Sequence, residues 1–308
     1  MPIPEMVNPF MYLVKKYGLY VFYALLLVGL LLVFRRYGLK GLLPAAAGLY
    51  ALFMLLAFIG QEVIIYFPDR QVTATPAAVG LEYEEEWLTA SDGERLQAWF
   101  IPGGQEAPVV LFCHGNASNI SDASHLEIMR ILHSLGLSVC IFDYRGFGAS
   151  TGSPSEQGTA LDARAAWRHL VEGRGYRSEE VILWGRSLGG GIASNLARQV
   201  GRCRALVLES TFTSIPDMAR RLFPFLPLRW GIKHRYPVME HVQEVECPVL
   251  VMHSRQDETV PYGFGRRVFE AAPEPKRFVE LRGGHAWGFL VSKERYIQAV
   301  EEFVLGQG

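Results

Sequence analysis

The fold of this chain is decided by residues 181–191, which read Val-Ile-Leu-Trp-Gly-Arg-Ser-Leu-Gly-Gly-Gly. Four apolar residues suited to a buried strand come first, and Ser187 follows them in the spacing Gly-x-Ser-x-Gly. Apolar residues then recur at helical spacing from Ile192 onward. A serine on such a tight strand-to-helix turn stands clear of the backbone, because glycines occupy the positions where a Cβ would clash. Ser187 is therefore the candidate nucleophile.

A second stretch with the same spacing occurs at residues 148–152, which read Gly-Ala-Ser-Thr-Gly. Its flanks contain glycine and proline and are typical of turns, and a helical pattern begins only later. Ser150 is therefore interpreted as a loop serine.

The candidate partners of Ser187 lie downstream of it. A serine hydroxyl is a weak nucleophile, so it needs a base within hydrogen-bond reach and a third group that orients the base. In known folds that carry a serine on a turn of this kind, the acid and then the histidine follow along the chain. Asp257 comes after the strand-like residues 248–253, and His285 lies in a small-residue loop after the strand-like residues 277–281. Asp257 is therefore the candidate acid and His285 the candidate base.

Other acids stay open as alternatives to Asp257. Glu258 is its direct neighbour, and Glu209 ends the strand-like segment before it. Asp143 lies upstream of the serine and is interpreted as a structural loop carboxylate. His285 could be an ordinary loop histidine, but its position third in the order favours catalysis.

Backbone amides are expected to bind the oxyanion of a tetrahedral intermediate. One is the amide of Leu188, directly after the nucleophile. The other is expected in the loop His-Gly-Asn-Ala at residues 114–117, where Asn116 is preferred and Ala117 is second. His114 is interpreted as a packed histidine that braces this loop, because one base is sufficient.

Several segments in this order carry a family resemblance: His114-Gly115-Asn116-Ala117-Ser118-Asn119, Phe142-Asp143-Tyr144-Arg145-Gly146-Phe147-Gly148, Gly185-Arg186-Ser187-Leu188-Gly189-Gly190 and Glu209-Ser210-Thr211-Phe212. The chain resembles the α/β-hydrolase superfamily over roughly residues 62–305. It is more narrowly similar to the membrane-anchored serine hydrolases of that superfamily, which include depalmitoylases and bacterial relatives. The resemblance implies Ser187 as nucleophile, Asp257 as acid and His285 as base, with the oxyanion at the amides of Asn116 and Leu188.

The resemblance also implies hydrolysis of esters or thioesters through an acyl-enzyme, with no cofactor and no metal. A peptidase or amidase with the same triad stays open, and so does a non-catalytic, membrane-tethered module. The alternation of strand-like and helix-like segments predicts an α/β fold, a mostly parallel sheet with helices on both faces. Residues 82–87 and 96–101 are expected to form an antiparallel hairpin at its start.

The N-terminus carries two uncharged apolar runs, residues 17–34 and 41–61. Each is long enough for a membrane-spanning helix of about 20 residues. Between them lies a basic turn at residues 35–40, so the sequence predicts a transmembrane helical hairpin over residues 1–61 and a catalytic domain over residues 62–308. A cleaved signal peptide and a buried soluble hairpin are the alternatives. The predicted location is the cell membrane, with two passes.

Basic residues favour the cytoplasmic side of a membrane. The two sides of the predicted hairpin carry the same number of basic residues. The turn contains Arg35, Arg36 and Lys40, and the other side contains Lys15, Lys16 and the more distant Arg70. The denser charge in the turn favours a catalytic domain outside the cytoplasm. The net charge of the whole chain is −1, so composition does not favour a nucleic-acid partner. Its four cysteines lack paired metal spacing and are interpreted as buried thiols.

A small cap is predicted at about residues 211–245, between two strand-like segments. Its apolar side chains could contact an acyl chain or could simply pack the cap onto the body. Its basic residues could meet anionic lipid head groups or form a solvated face. The candidate substrate contacts are Ala117, Arg186, Phe212, Phe223 and Trp287.

Overall fold

The protein is described by a computed structural model over residues 9–222 and 231–306. It forms two compact units, Met1–Gly60 and Gln61–Gly308. The cap predicted at residues 211–245 falls partly outside the described residues.

The first unit is helical. Helix α1 runs over Pro9–Ile59, but Gly38 inside it has the non-helical angles φ 63° and ψ −157°. This break lies within the basic turn expected at residues 35–40. Of the described residues, Leu31–Ile59 is the one stretch long and apolar enough to cross a membrane. One such stretch does not confirm the two-helix transmembrane hairpin, which stays a prediction.

The second unit is built on strands and helices that alternate along the chain. The strands are β1 (Phe67–Pro68), β2 (Glu84–Thr89), β3 (Arg95–Ile101), β4 (Val109–Cys113), β5 (Ala117–Ser118), β6 (Ser138–Phe142), β7 (Val181–Arg186), β8 (Ala205–Glu209), β9 (Val249–Ser254) and β10 (Lys276–Leu281). The helices after α1 are α2 (Gln61–Ile65), α3 (Ala123–Ser134), α4 (Glu156–Arg168), α5 (Leu188–Val200), α6 (Ile215–Leu222), α7 (Val238–Val242), α8 (Tyr262–Ala271), α9 (Gly288–Val291) and α10 (Lys293–Val300).

Eight strands form one sheet in the order β10-β9-β8-β7-β4-β6-β3-β2. The six strands from β10 to β6 are parallel, and β3 and β2 add an antiparallel edge. The predictions of a mostly parallel sheet and of an antiparallel hairpin at its start are therefore confirmed. β1 and β5 pair separately as a short parallel ladder, which places Phe67 beside Ala117.

Helices cover both faces of the sheet. Successive side chains of a strand point to opposite faces, so each central strand contributes to two cores. In β7, Val181 and Leu183 join the core under α4, α5 and α8, whereas Ile182 and Trp184 join the core under α3 and α10. Because the central strands are buried on both faces, their sequences are continuous apolar runs.

The helical pattern of the sequence predicts a helix over residues 159–172, but α4 begins three residues earlier. The Ser155 side chain accepts a hydrogen bond from the Gly158 amide at 3.0 Å and caps the helix, which begins at Glu156. A π-helical turn, His169–Gly173, follows its end.

Because the central strands are parallel, their carboxyl ends meet along one edge of the sheet. In open α/β sheets this is the edge at which ligands bind. Ser187 follows β7, Asp257 follows β9 and His285 follows β10, so all three predicted catalytic residues lie on loops at that edge.

Candidate active site

Ser187 lies on a strained turn between β7 and α5. Its φ of 53° and ψ of −117° are unusual for a residue with a side chain. A Cβ at Gly185 would collide with the backbone of Gly189, and a Cβ at Gly189 would collide with the backbone of Cys113. The glycines of the Gly-x-Ser-x-Gly spacing are therefore required by the close contact between the first turn of α5 and the ends of β7 and β4.

The three predicted catalytic side chains form one hydrogen-bonded chain. Ser187 Oγ lies 3.1 Å from His285 Nε2, and His285 Nδ1 lies 2.8 Å from Asp257 Oδ2. The Asp257 side chain is fully buried, and that of His285 is 17% exposed. With Nδ1 donating to Asp257, the lone pair of Nε2 faces the serine hydroxyl, as a general base requires.

Asp257 is held as a carboxylate by its neighbours. Burial acts to raise its pKa, but hydrogen bonds from His253 and His285 outweigh burial and hold the pKa well below its ordinary value. The other oxygen, Oδ1, accepts the amides of Thr259 at 2.9 Å and Val260 at 2.7 Å. The carboxylate is thus fixed from both sides and keeps one tautomer of His285.

The alternative acids do not contact the ring of His285. Glu258 Oε2 accepts the backbone amide of His285 at 3.0 Å. Glu209 Oε2 accepts hydrogen bonds from Trp184 Nε1 at 3.3 Å and Tyr296 Oη at 3.0 Å. Of the three carboxylates considered, the structure brings only Asp257 to Nδ1.

The loop predicted to supply the oxyanion amides passes beside the serine. A Cβ placed on Gly115 would lie 3.7 Å from the Cβ of Ser187. The Asn116 side chain turns away and donates to the carbonyl of Ile65 at 2.8 Å. The Leu188 amide is the first in α5, where amides have no acceptor inside the helix.

His114 packs behind this loop as a neutral ring. Burial, followed by the charge of His125, lowers its pKa to about 3. Its Nδ1 lies 2.8 Å from the Gly115 carbonyl oxygen, and the ring stacks on Tyr144 with centroids 4.1 Å apart. These contacts fit a bracing residue and do not fit a second base at neutral pH.

Arg186 differs from its predicted place at the substrate. Its guanidinium is buried and donates to Ser124 Oγ at 3.1 Å, to the carbonyl of His285 at 3.1 Å and to the carbonyl of Ala286. Its Nε lies 3.5 Å from Glu209 Oε1. Arg186 therefore anchors the loop that carries His285, a role that the sequence analysis missed. The available signal was two opposite charges, at positions 186 and 209, each ending a buried strand.

The other predicted substrate contacts have different outcomes. Phe212, three residues after the end of β8, is buried in the core that also contains residues of α5. Phe223 lies outside the described residues. Trp287 is 44% exposed two residues after His285, and Ala117 is exposed beside the Asn116 loop.

Known proteins share this architecture. An esterase from Pyrococcus furiosus, Pf2001, superposes with a TM-score of 0.67 at 21% identity over 78% of this chain and 98% of its own. A sequence model of the family described as serine aminopeptidase, S33, matches residues 104–239.

Two curated relatives are closer in sequence. The α/β hydrolase domain-containing protein WAV2 of Arabidopsis thaliana is 37% identical over 87% of this chain and 92% of its own length. The lysophosphatidylserine lipase ABHD12 of Gallus gallus is 37% identical over 70% of this chain and 60% of its own length. With such identity across nearly the whole of a relative, and with the sheet order and serine turn described above, this chain belongs to the α/β hydrolase family.

Proposed function

We propose that this chain is a membrane-anchored serine hydrolase that cleaves carboxylic esters or thioesters of lipid-like acyl groups. The observation that carries the proposal is the unbroken contact from Ser187 Oγ through the His285 ring to Asp257. Esterases and lipases among the similar proteins support ester hydrolysis.

The reaction proceeds in two halves. His285 Nε2 takes the hydroxyl proton while Ser187 Oγ attacks the carbonyl carbon, and Asp257 stabilises the imidazolium. The amides of Leu188 and Asn116 bind the oxyanion. His285 then gives the proton to the leaving alcohol or thiol, which leaves an acyl-serine. Water attacks that ester with His285 again as base, and the acid is released.

Exposed apolar side chains after His285 and beside the Asn116 loop support an apolar acyl group. Trp287, Leu290 and Val291 follow His285 and are 44%, 39% and 64% exposed. Phe67, which pairs with the Asn116 loop, is 54% exposed. Exposed apolar patches are typical of surfaces that bind apolar ligands. The name of the chicken relative, a lysophosphatidylserine lipase, agrees with this substrate class.

The test is hydrolysis of p-nitrophenyl acyl esters of rising chain length by the full chain in detergent. We expect turnover that depends on chain length and is abolished by Ser187→Ala. Ser153→Ala is the matched control, because Ser153 is exposed in a loop. Equal turnover by the Ser187→Ala variant would refute the proposal.

A peptidase is the second candidate, since the matching family is described as a serine aminopeptidase. The same triad can cleave an amide. Aminoacyl p-nitroanilides belong in the same assay, and Ser187-dependent release of nitroaniline without ester turnover would favour this candidate over the esterase.

The membrane anchor is proposed as the two-pass hairpin of residues 1–61. The break at Gly38 leaves helical stretches at 9–37 and 39–59, each long enough for one crossing of about 20 residues. No residue of the apolar stretch Leu31–Ile59 is buried within its unit, as expected of a surface that faces lipid. We expect the full chain to stay in the membrane pellet at alkaline pH, and its release into the supernatant would contradict the anchor.

The proposed orientation places the catalytic domain outside the cytoplasm. It follows from the dense basic turn at residues 35–40, which favours the cytoplasmic side. Alkaline phosphatase fused after residue 308 is active only outside the cytoplasm. Activity of that fusion is expected, and an inactive fusion made in normal amounts would reverse the orientation.

A further inference from the structure

Two of the four cysteines touch each other at the edge of the sheet opposite to the candidate active site. Cys203 Sγ and Cys247 Sγ are 2.7 Å apart. Both residues are buried, and they are 44 positions apart in the chain. The contact brings two thiols closer than ordinary packing of sulfur atoms, within about 0.7 Å of the length of an S–S bond.

The parallel pairing of two strands brings these residues near each other. Cys203 precedes β8 and Cys247 precedes β9, and the two strands are parallel neighbours. Leu206 pairs with Val249, and the Leu206 amide donates to the carbonyl of Pro248 at 2.9 Å. Neighbouring strands lie about 4.8 Å apart. That spacing falls within the Cα separation of about 4.4–6.8 Å that suits a disulfide.

We propose that Cys203 and Cys247 are a site of covalent modification and form a disulfide bond. The oxidant is a second disulfide, of the glutathione or protein class. The Cys203 thiolate attacks one sulfur of the oxidant and releases one thiol. Cys247 then attacks the mixed disulfide and releases the second thiol. Two electrons and two protons pass to the oxidant, and one S–S bond replaces another.

A surface cleft borders Cys203 and is the proposed route of the oxidant. Its volume is about 910 Å³, and Cys203, Arg204, Pro248 and Tyr176 lie in its wall. Cys203 is therefore the thiol that attacks the oxidant first, and Cys247 resolves the mixed disulfide. The hydrogen bond with Cys247 and burial raise the pKa of Cys203 well above its ordinary value. The cross-link therefore forms faster as the pH rises.

The cross-link closes a segment that contains β8, α6 and α7. Closing so long a loop removes conformational freedom from the unfolded chain and stabilises the fold. From the usual stabilisation by one disulfide, we expect the Tm to rise by about 5–15 °C.

The experiment uses the full chain in detergent, incubated with oxidised glutathione at a pH of about 8.5, the ordinary pKa of a cysteine. The protein is then denatured, alkylated, digested and mapped by mass spectrometry. We expect one linked pair of peptides, joined through residues 203 and 247 with the loss of two hydrogen atoms. Cys113 and Cys140, which are wholly buried in β4 and β6, are the internal controls and are expected to be alkylated.

Two variants sharpen the test. In Cys247→Ser the resolving thiol is missing, so Cys203 should keep a glutathione adduct. In Cys203→Ser neither the linked peptides nor the rise in Tm should occur. Full alkylation of residues 203 and 247 in the oxidised wild type would overturn the proposal, and so would a stable glutathione adduct on either. An unchanged Tm after cross-linking would overturn its stabilising role.

Discussion

Replacing Arg186 with methionine tests whether the geometry of the base depends on a buried cation. The guanidinium joins the end of β7 to the His285 loop through the carbonyls of His285 and Ala286, and it faces Glu209. The side chains of Arg186 and Glu209 are 5% and 2% exposed. Methionine keeps the stem of the side chain but removes the charge and its donors.

The expected cost has two parts. Removing one partner of a buried ion pair costs about 3–5 kcal/mol, because the other charge stays buried. Hydrogen bonds from Trp184 and Tyr296 to Glu209 persist and hold the cost near the lower end of that range. A loss of about 3 kcal/mol lowers the Tm of a domain of this size by about 6–12 °C.

The second part is catalytic. Without its anchor the His285 loop is free to shift, and a displacement of about 1 Å can reduce the rate about 100-fold. We therefore expect Arg186→Met to lower kcat by about 10- to 100-fold with little change in KM. Steady-state kinetics on the acyl esters and urea denaturation measure the two parts separately, at a temperature where the variant is folded.

Two further variants isolate the effect. Adding Glu209→Gln to Arg186→Met removes the unpaired charge. The loss in the free energy of unfolding of the double variant should therefore be about 1–3 kcal/mol smaller than the sum of the losses in the two single variants. Arg204→Met is the matched control, because Arg204 donates to the carbonyl of Val304, outside the loop of His285. It should lower stability and leave kcat unchanged. A normal kcat in folded Arg186→Met would refute the reasoning.

Three shorter predictions concern Asp257, Asp143 and Ser155. Asp257→Asn should lower kcat by about 10⁴-fold, since the wrong tautomer of the base is favoured, whereas Glu258→Gln should have a small effect on the same ester assay. Burial raises the pKa of Asp143 to about 8, above its unfolded value of about 3.9, so the folded state binds the extra proton and stability should fall as pH rises from about 4 to 8. Urea titrations should show a weaker pH dependence for Asp143→Asn, and an unchanged slope would contradict the assignment. Ser155→Ala should cost about 1 kcal/mol through loss of the α4 cap, and Ser153→Ala should cost nothing by the same measurement.

Local patterns were sufficient for much of the fold. The apolar run and glycines around Ser187 predicted the strand, the turn and the helix, because each depends on neighbours within a few residues. The alternation of strand-like and helix-like segments predicted the mostly parallel sheet. The start of α4 was misplaced by three residues, because the capping role of Ser155 was not recognised.

The sequence by itself predicted the order of the candidate nucleophile, acid and base, and a parallel sheet puts the loops after successive strands at one edge. Only the tertiary structure decided which carboxylate meets His285, because Asp257, Glu258 and Glu209 all occupy loops or strand ends at that edge. The role of Arg186 and the meeting of Cys203 with Cys247 were decided in the same way. Each depends on strand register and side-chain direction between residues that are tens of positions apart, and a pattern of near neighbours carries no information about either.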